Sequence, residues 1–189
     1  MTEKPIITLL AVTSLDGYIA KHSGHAPATW ASPEEQDHFL TRMDQMDWSV
    51  MGRVTHEAAF RPNRKRVVFS TLPEKPEWRT ENHLWLNPDG NIQDTVMDQF
   101  VGASSVALLG GTRVHDWFLE RNLIDVIELS VEPVVFGAGL PLFWHDQWSG
   151  FQRIDEIIPA MAKLGFDVEG GVRALNMNGT KLMRFFRQK

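Results

Sequence analysis

Three short segments join glycine, hydroxyl and guanidinium groups just beyond apolar runs: Gly52-Arg53-Val54-Thr55, Ser70-Thr71 and Gly110-Gly111-Thr112-Arg113-Val114. Those residue types at a strand end suit phosphate binding. Glycine lets the backbone turn sharply and lie close to a ligand. The first amides of a following helix lack partners of their own, and the helix dipole favours an anion beside them. Arg adds a bidentate contact to a phosphate. Arg53 beside Ser70 and Thr71 would suit the extra phosphate that separates NADPH from NADH. Around them Arg53, Arg61, Arg64, Lys65 and Arg66 are opposed only by Glu57. Each segment also has an ordinary reading, as a glycine turn or a solvated basic loop. Their recurrence in order is what points to a cofactor cradle.

The elements that must position these segments follow from pattern. Ile6–Val12 is nearly all apolar and β-rich, as a central strand is, and it runs into the turn signal Asp16-Gly17. A long loop, Lys21–Ala31, carries His22 and His25. Ser32-Pro33-Glu34-Glu35 then starts a helix, with Ser as cap, Pro at the first position and Phe39, Leu40, Met43 and Met46 at helical spacing. Strands are expected at Trp48–Met51, Arg66–Thr71 and His83–Leu86, with a short helix from Gly52 ending before Pro62 and another over Ile92–Val101. Val106–Leu109 reads as a strand buried on both faces and leads through Gly110-Gly111 into a helix. Ile124–Val131 alternates as a sheet strand does, Pro133–Phe143 is an apolar loop, and Asn178-Gly179 marks a hairpin. The order predicts an α/β three-layer sandwich, with a mostly parallel central sheet and antiparallel C-terminal strands.

A chain of 189 residues, 43% of them hydrophobic, is expected to form one domain over 1–189. A formal net charge of −5 argues against nucleic acid or an anionic membrane as partner. Without cysteine there is no disulfide, zinc-thiolate site or thiol nucleophile. Ile6–Val12 is too short to span a bilayer, and the cytoplasm is the expected compartment. His22 and His25 lack a third ligand at any recognisable spacing, so no metal is expected.

In order and spacing, Met51-Gly52-Arg53-Val54-Thr55-His56-Glu57, Arg66–Thr71 and Leu109–His115 resemble the three cofactor motifs of the dihydrofolate-reductase-like fold. Ser14–Ala20, Leu123–Leu129 and Pro133–Phe143 more specifically resemble the C-terminal reductase domain of bacterial riboflavin biosynthesis (RibD) and its stand-alone relatives. The resemblance spans residues 5 to 145 and implies NADPH-dependent hydride transfer to a pterin- or aminopyrimidine-like small molecule. It implies that Gly52, Arg53, Val54 and Thr55 with Ser70 and Thr71 surround the adenosine phosphate side. By the same resemblance Gly110, Gly111, Thr112, Arg113 and Val114 surround the pyrophosphate, Val12 and Ile19 lie against the nicotinamide, and the protein is a homodimer. Dihydrofolate reductase proper and an NADPH-binding regulator without catalysis are the alternatives.

The proton source is less defined. Dihydrofolate reductases keep a buried carboxylate near the start of the first helix. Counting back from Gly52 reaches Gln36, between Glu35 and Asp37, and neighbours on a helix point about 100° apart. Glu35, Asp37 and Asp16 are the candidate acids, Asp16 having a competing role as the turn residue of Asp-Gly. Ser130 is placed either to contact substrate or to close a strand edge, and Trp30 to stack on a flat heterocycle. His115 either touches the nicotinamide side or packs. No second basic cluster suits a ribosyl phosphate, and no fused deaminase motif is present, which favours a stand-alone paralogue.

Overall fold

The computed structural model describes residues 4–145 and 148–188. In chain order its first half contains β1 (Ile6–Ser14), β2 (Tyr18–Ala20), α1 (Pro33–Met43), β3 (Trp48–Gly52), α2 (Arg53–Ala58), β4 (Arg66–Phe69), β5 (Glu77–Thr80) and β6 (His83–Leu86). The second half contains α3 (Gln93–Gln99), β7 (Ser105–Leu108), α4 (Thr112–Glu120), β8 (Val126–Glu132), β9 (Leu140–Pro141), α5 (Ile157–Lys163), β10 (Phe166–Ala174) and β11 (Lys181–Arg187). The main sheet is ordered β10-β11-β8-β1-β7-β3-β4-β6-β5. Its six central strands are parallel, while β11 on β8, β10 on β11 and β5 on β6 are antiparallel. This is the expected α/β sandwich. Strands β2 and β9 form a separate antiparallel ribbon.

The layers follow from strand parity, since successive side chains on a strand point to opposite faces. Leu9 packs into the large core with Val50, Val67, Leu108, Phe100 of the α3 C-cap, Phe118 of α4 and Met161 of α5. Its neighbour Leu10 joins Met46, Ala107, Phe39 and Met43 beneath α1 on the other face. Leu40, grouped with that stripe in the sequence, instead points to solvent.

Two elements differ from expectation. Glu77–Thr80, where no strand is expected, is an edge strand exposed along its whole length. Charged edge positions deter pairing with other chains and also hide the strand from pattern reading. Strand β8 is buried at every position, its polar residues included. No helix among the described residues is long and apolar enough to cross a membrane.

Candidate active site

The cradle is assembled from two neighbouring strand ends. β3 and β7 run parallel with Val50 opposite Leu108, so the turns that follow lie side by side. The Gly52 amide donates to the Gly110 carbonyl at 2.8 Å. Gly110 has φ 101° and is joined to Gly111 by a cis peptide. Gly111 caps α4, and its carbonyl accepts from the amides of Val114 (2.9 Å) and His115 (3.3 Å). The amides of Thr112 and Arg113 have no acceptor among the described residues, and a Cβ added to Gly111 would meet nothing within 4 Å. Open space, two unpaired amides and a helix N-terminus together fit an anion such as a pyrophosphate.

The cradle's side chains do other work. The Thr112 hydroxyl donates to the Pro141 carbonyl, and Val114 is buried. Arg113 is exposed and paired with Asp89 at 3.1 Å. An anion in the cradle would therefore meet their backbone and not their side chains. His115 packs: its ring is buried and its Nδ1 lies 2.9 Å from the Leu142 carbonyl. A carbonyl only accepts, so Nδ1 carries the hydrogen and Nε2 is bare. Burial pushes this imidazole down to about 4, which keeps it neutral. Asp116 accepts the Trp144 amide at 3.2 Å, and burial pushes its carboxyl up to about 6. One face of α4 thus holds the strap that runs from Pro133 through Trp144.

Asp16 ties the other end of that strap. It is 4% exposed and accepts the amides of Phe136 (3.1 Å) and Gly137 (2.7 Å). Both carboxylate oxygens are occupied by loop backbone, which makes Asp16 a structural staple and corrects its candidacy as the acid. Gly139 completes the seam, because a Cβ there would sit 2.2 Å from the Ala20 carbonyl. Asp16→Ala should lower stability by about 2 kcal/mol, the typical worth of hydrogen bonds to a charged group. Urea unfolding checks this, and an unchanged midpoint would contradict the staple.

Arg53 stands at the first turn of α2, its guanidinium resting on Glu57 at 3.0 Å with 42% of its side chain exposed. Val54 is exposed and Thr55 half-buried. The Ser70 hydroxyl accepts the Leu72 amide at 3.2 Å, and Thr71 is exposed. The rest of the basic run is dispersed. Arg66 is buried against the Ala59 carbonyl (2.8 Å) and His56, Arg64 is held by the Met43 carbonyl and Asp44, and the Lys65 ammonium lies 5.7 Å from the Trp48 ring centre. Charge counting overstated the patch, since Arg66 opens a buried strand.

A small pocket lies between α1 and strands β1 and β8. Leu9 pairs with Leu108, so the chain leaving β7 reaches Gly110 about level with Ala11 of β1, while on the other side Val12 pairs with Ser130. Ala11 lines this pocket with Leu10, Glu35, His38, Phe39, Arg42, Glu128 and Ser130. Glu35 enters it from the first turn of α1, where the Ser32 hydroxyl accepts its amide at 3.3 Å. Glu35 is 4% exposed, whereas Asp37 faces solvent and drops out as a buried acid. Burial, with the charge of Glu132 beside it, pushes the Glu35 carboxyl up to about 7; His38 and the Ser130 hydroxyl pull the other way. Glu128 shows the opposite balance. Burial would raise it, but His38 at 2.8 Å and Arg42 at 3.0 Å hold it below the usual carboxylate range. Two carboxyls in one pocket with divergent affinities for a proton are the arrangement expected of acid chemistry.

Trp30 stands outside this pocket, edge-on to Phe136 (4.9 Å between ring centres) and stacked with His25 (6.2 Å). Its indole N–H has no partner among the described residues. No metal-binding cluster occurs among the described residues.

Comparison with known proteins fits this layout. The family described as RibD C-terminal domain matches residues 5–152. The chain belongs to that family. It is 26% identical over 147 residues to YwjB of Bacillus subtilis, an uncharacterized protein, covering 75% of this chain and 83% of that one. Among solved structures, a pyrimidine reductase-like protein from Corynebacterium diphtheriae superposes with TM-score 0.68 at 14% identity, over 98% of this chain and 92% of the other. A dihydrofolate reductase from Enterococcus faecalis, complexed with NADP(H), superposes with TM-score 0.64 at 15% identity over the whole of both chains. These likenesses show a dihydrofolate-reductase-like fold.

The residues missed from sequence are those around the buried Glu35: His38, Arg42, Glu128 and Glu132. A signal for them existed. Glu128, Ser130 and Glu132 alternate along β8 and so share a face, and that face lies under α1 rather than toward water.

Proposed function

We propose that this chain is an NADPH-dependent reductase acting on a flat pterin- or aminopyrimidine-like molecule, with Glu35 as the proton donor. What supports the reading is strand order: β1 lies between β7, which leads into the glycine cradle, and β8, which carries Ser130 beside the buried Glu35 near 7. NADPH, when bound, supplies the hydride. Gly52, Gly110, Gly111 and the amides of Thr112 and Arg113 would hold its pyrophosphate, Arg53 with Ser70 and Thr71 its adenosine phosphate, and Val12 and Ile19 would line the nicotinamide side. Glu35, carrying its proton at neutral pH, protonates the substrate atom that gains charge as a C=N or C=O is reduced. Ser130 and Trp30 contact the substrate. Holding the reactants in line and excluding water supply most of the rate, since hydride transfer needs no activated nucleophile. The residues act within one domain, and the protein works as a homodimer.

Loss of NADPH absorbance with a panel of pterins, dihydrofolate and aminopyrimidines tests the proposal. Turnover with a pterin or aminopyrimidine is expected, and tight NADPH binding with no turnover would identify a nucleotide-binding regulator instead. Arg53 offers a separate test. Its present partner is an exposed i,i+4 carboxylate worth about 0.3–0.5 kcal/mol, so turning to a phosphate costs little. Arg53→Ala should weaken NADPH binding about tenfold or more and NADH binding less than about twofold. Equal weakening of both, read by fluorescence titration, would remove Arg53 from the phosphate.

A further inference from the structure

Helix α2 carries Arg53 but has little of its own to hold it in place. It is six residues long, Gly52 gives it no side-chain cap, and His56 is its one buried residue. A helix that short is not stable without tertiary contacts. Among the described residues, the side-chain hydrogen bonds that tie it to the sheet come from Arg66, the first residue of β4. One guanidinium nitrogen donates to the carbonyl of Ala59, the C-cap of α2, at 2.8 Å, and another lies 3.2 Å from His56 Nδ1. A guanidinium only donates, so His56 Nδ1 accepts and its Nε2 carries the hydrogen.

Arg66 is 4% exposed, and among the described residues its Nε has no partner and no carboxylate pairs with it. Arg53, Arg64 and Arg79 rest instead on Glu57, Asp44 and Glu77. An apolar side chain in such a place often serves global stability as well. What an apolar chain cannot do is reach two acceptors on one helix with a rigid fork. The groups facing His56 are Arg66 of β4, His83 and Trp85 of β6, Arg79 of β5, and Glu57 and Phe60 beside it. Burial first, then the charge of Arg66, pushes His56 down to about 4, which keeps it neutral and able to accept. Arg53 lies one turn before His56, so whatever frees His56 also frees Arg53.

We propose that Arg66 is a positioning residue for Arg53: through His56 and the Ala59 carbonyl it fastens α2, and so sets how well the protein tells NADPH from NADH. This rests on the reading of Arg53 as the contact to the extra phosphate, yet the fastening can be followed without any nucleotide. Amide hydrogen exchange of the full chain should quicken about tenfold or more over residues 53–59 in Arg66→Met, with the amides of α4 unchanged. In fluorescence titrations the same variant should bind NADPH about tenfold less tightly and NADH within about twofold of wild type. Arg66→Lys, which can reach one acceptor only, should fall between. In the Arg53→Ala background, Arg66→Met should weaken NADPH little further, because both changes remove one contact. Unchanged exchange in Arg66→Met, a fully additive loss in the double variant, or discrimination that is lost in Arg53→Ala but intact in Arg66→Met would each overturn the proposal. Should Arg66→Met fail to fold, His56→Leu removes one of the two acceptors and carries the same expectations and the same refutations. Quickened exchange beside an Arg53→Ala that weakens both nucleotides equally would sink the phosphate reading of Arg53 and leave the fastening standing.

Discussion

Glu35→Gln should lower kcat by about 10²–10³-fold, the usual contribution of a positioned general acid. The amide keeps the size of the side chain and leaves the cap from Ser32 to the residue 35 amide intact, so the loss reports the proton and not the helix. In the wild type, activity should decline as pH rises through about 7, where Glu35 loses its proton. The variant's residual rate should lack that limb. Stability moves in the opposite sense. Because the folded-state value of Glu35 lies above its ordinary 4.5, the folded protein binds the proton more tightly than the unfolded chain. That contribution is fully present below about 4.5 and is lost as pH rises through 7. Glu35→Gln, which never ionises, should therefore be more stable than wild type above pH 7, by about 2–3 kcal/mol. An inactive variant that is also less stable at pH 8 would mark Glu35 as a structural residue.

The second large effect belongs to Gly110→Ala. At φ 101° an L side chain is strained by about 1–2 kcal/mol. The added methyl would also sit 3.3 Å from His115 Nε2, on a ring that is fully enclosed and fixed by Leu142. Together these should destabilise the fold by about 2–4 kcal/mol in urea unfolding and weaken NADPH at least about tenfold by tilting the turn. His115→Ala provides the control. In that background the steric part of the penalty disappears while the φ strain remains, so Gly110→Ala should then cost only about 1–2 kcal/mol. The same penalty in both backgrounds would show that His115 does not set the space around the cradle.

What could be read from the sequence was what is local. The strand, the Gly110-Gly111 turn and the helix after it occupy one stretch, and Ser32-Pro33 announces α1 by its own chemistry. The buried carboxyl was only narrowed, since Glu35 and Asp37 differ by about 200° around the helix and only the packing of α1 decides which of them faces inward. The apolar stripe held the answer: Glu35, Phe39 and Met43 recur every four residues and share the inward face. The staple role of Asp16 and the seat of Thr180 on Glu132 needed contacts 120 and 48 residues apart, which spacing cannot supply. The basic run misled for the converse reason. A guanidinium at position 66 looks exposed in a charged stretch, but β4 pairs on both sides and buries it.

A crystal structure with NADPH tests most directly whether the cradle and the Glu35 pocket form one reductase site across Ala11–Val12. It should show the pyrophosphate on Gly52, Gly110 and the first amides of α4, with the nicotinamide beside Val12 and Ile19 and its reactive carbon open to the Ser130–Glu35 pocket. A pyrophosphate seated elsewhere, or a nicotinamide turned away from that pocket, would contradict it.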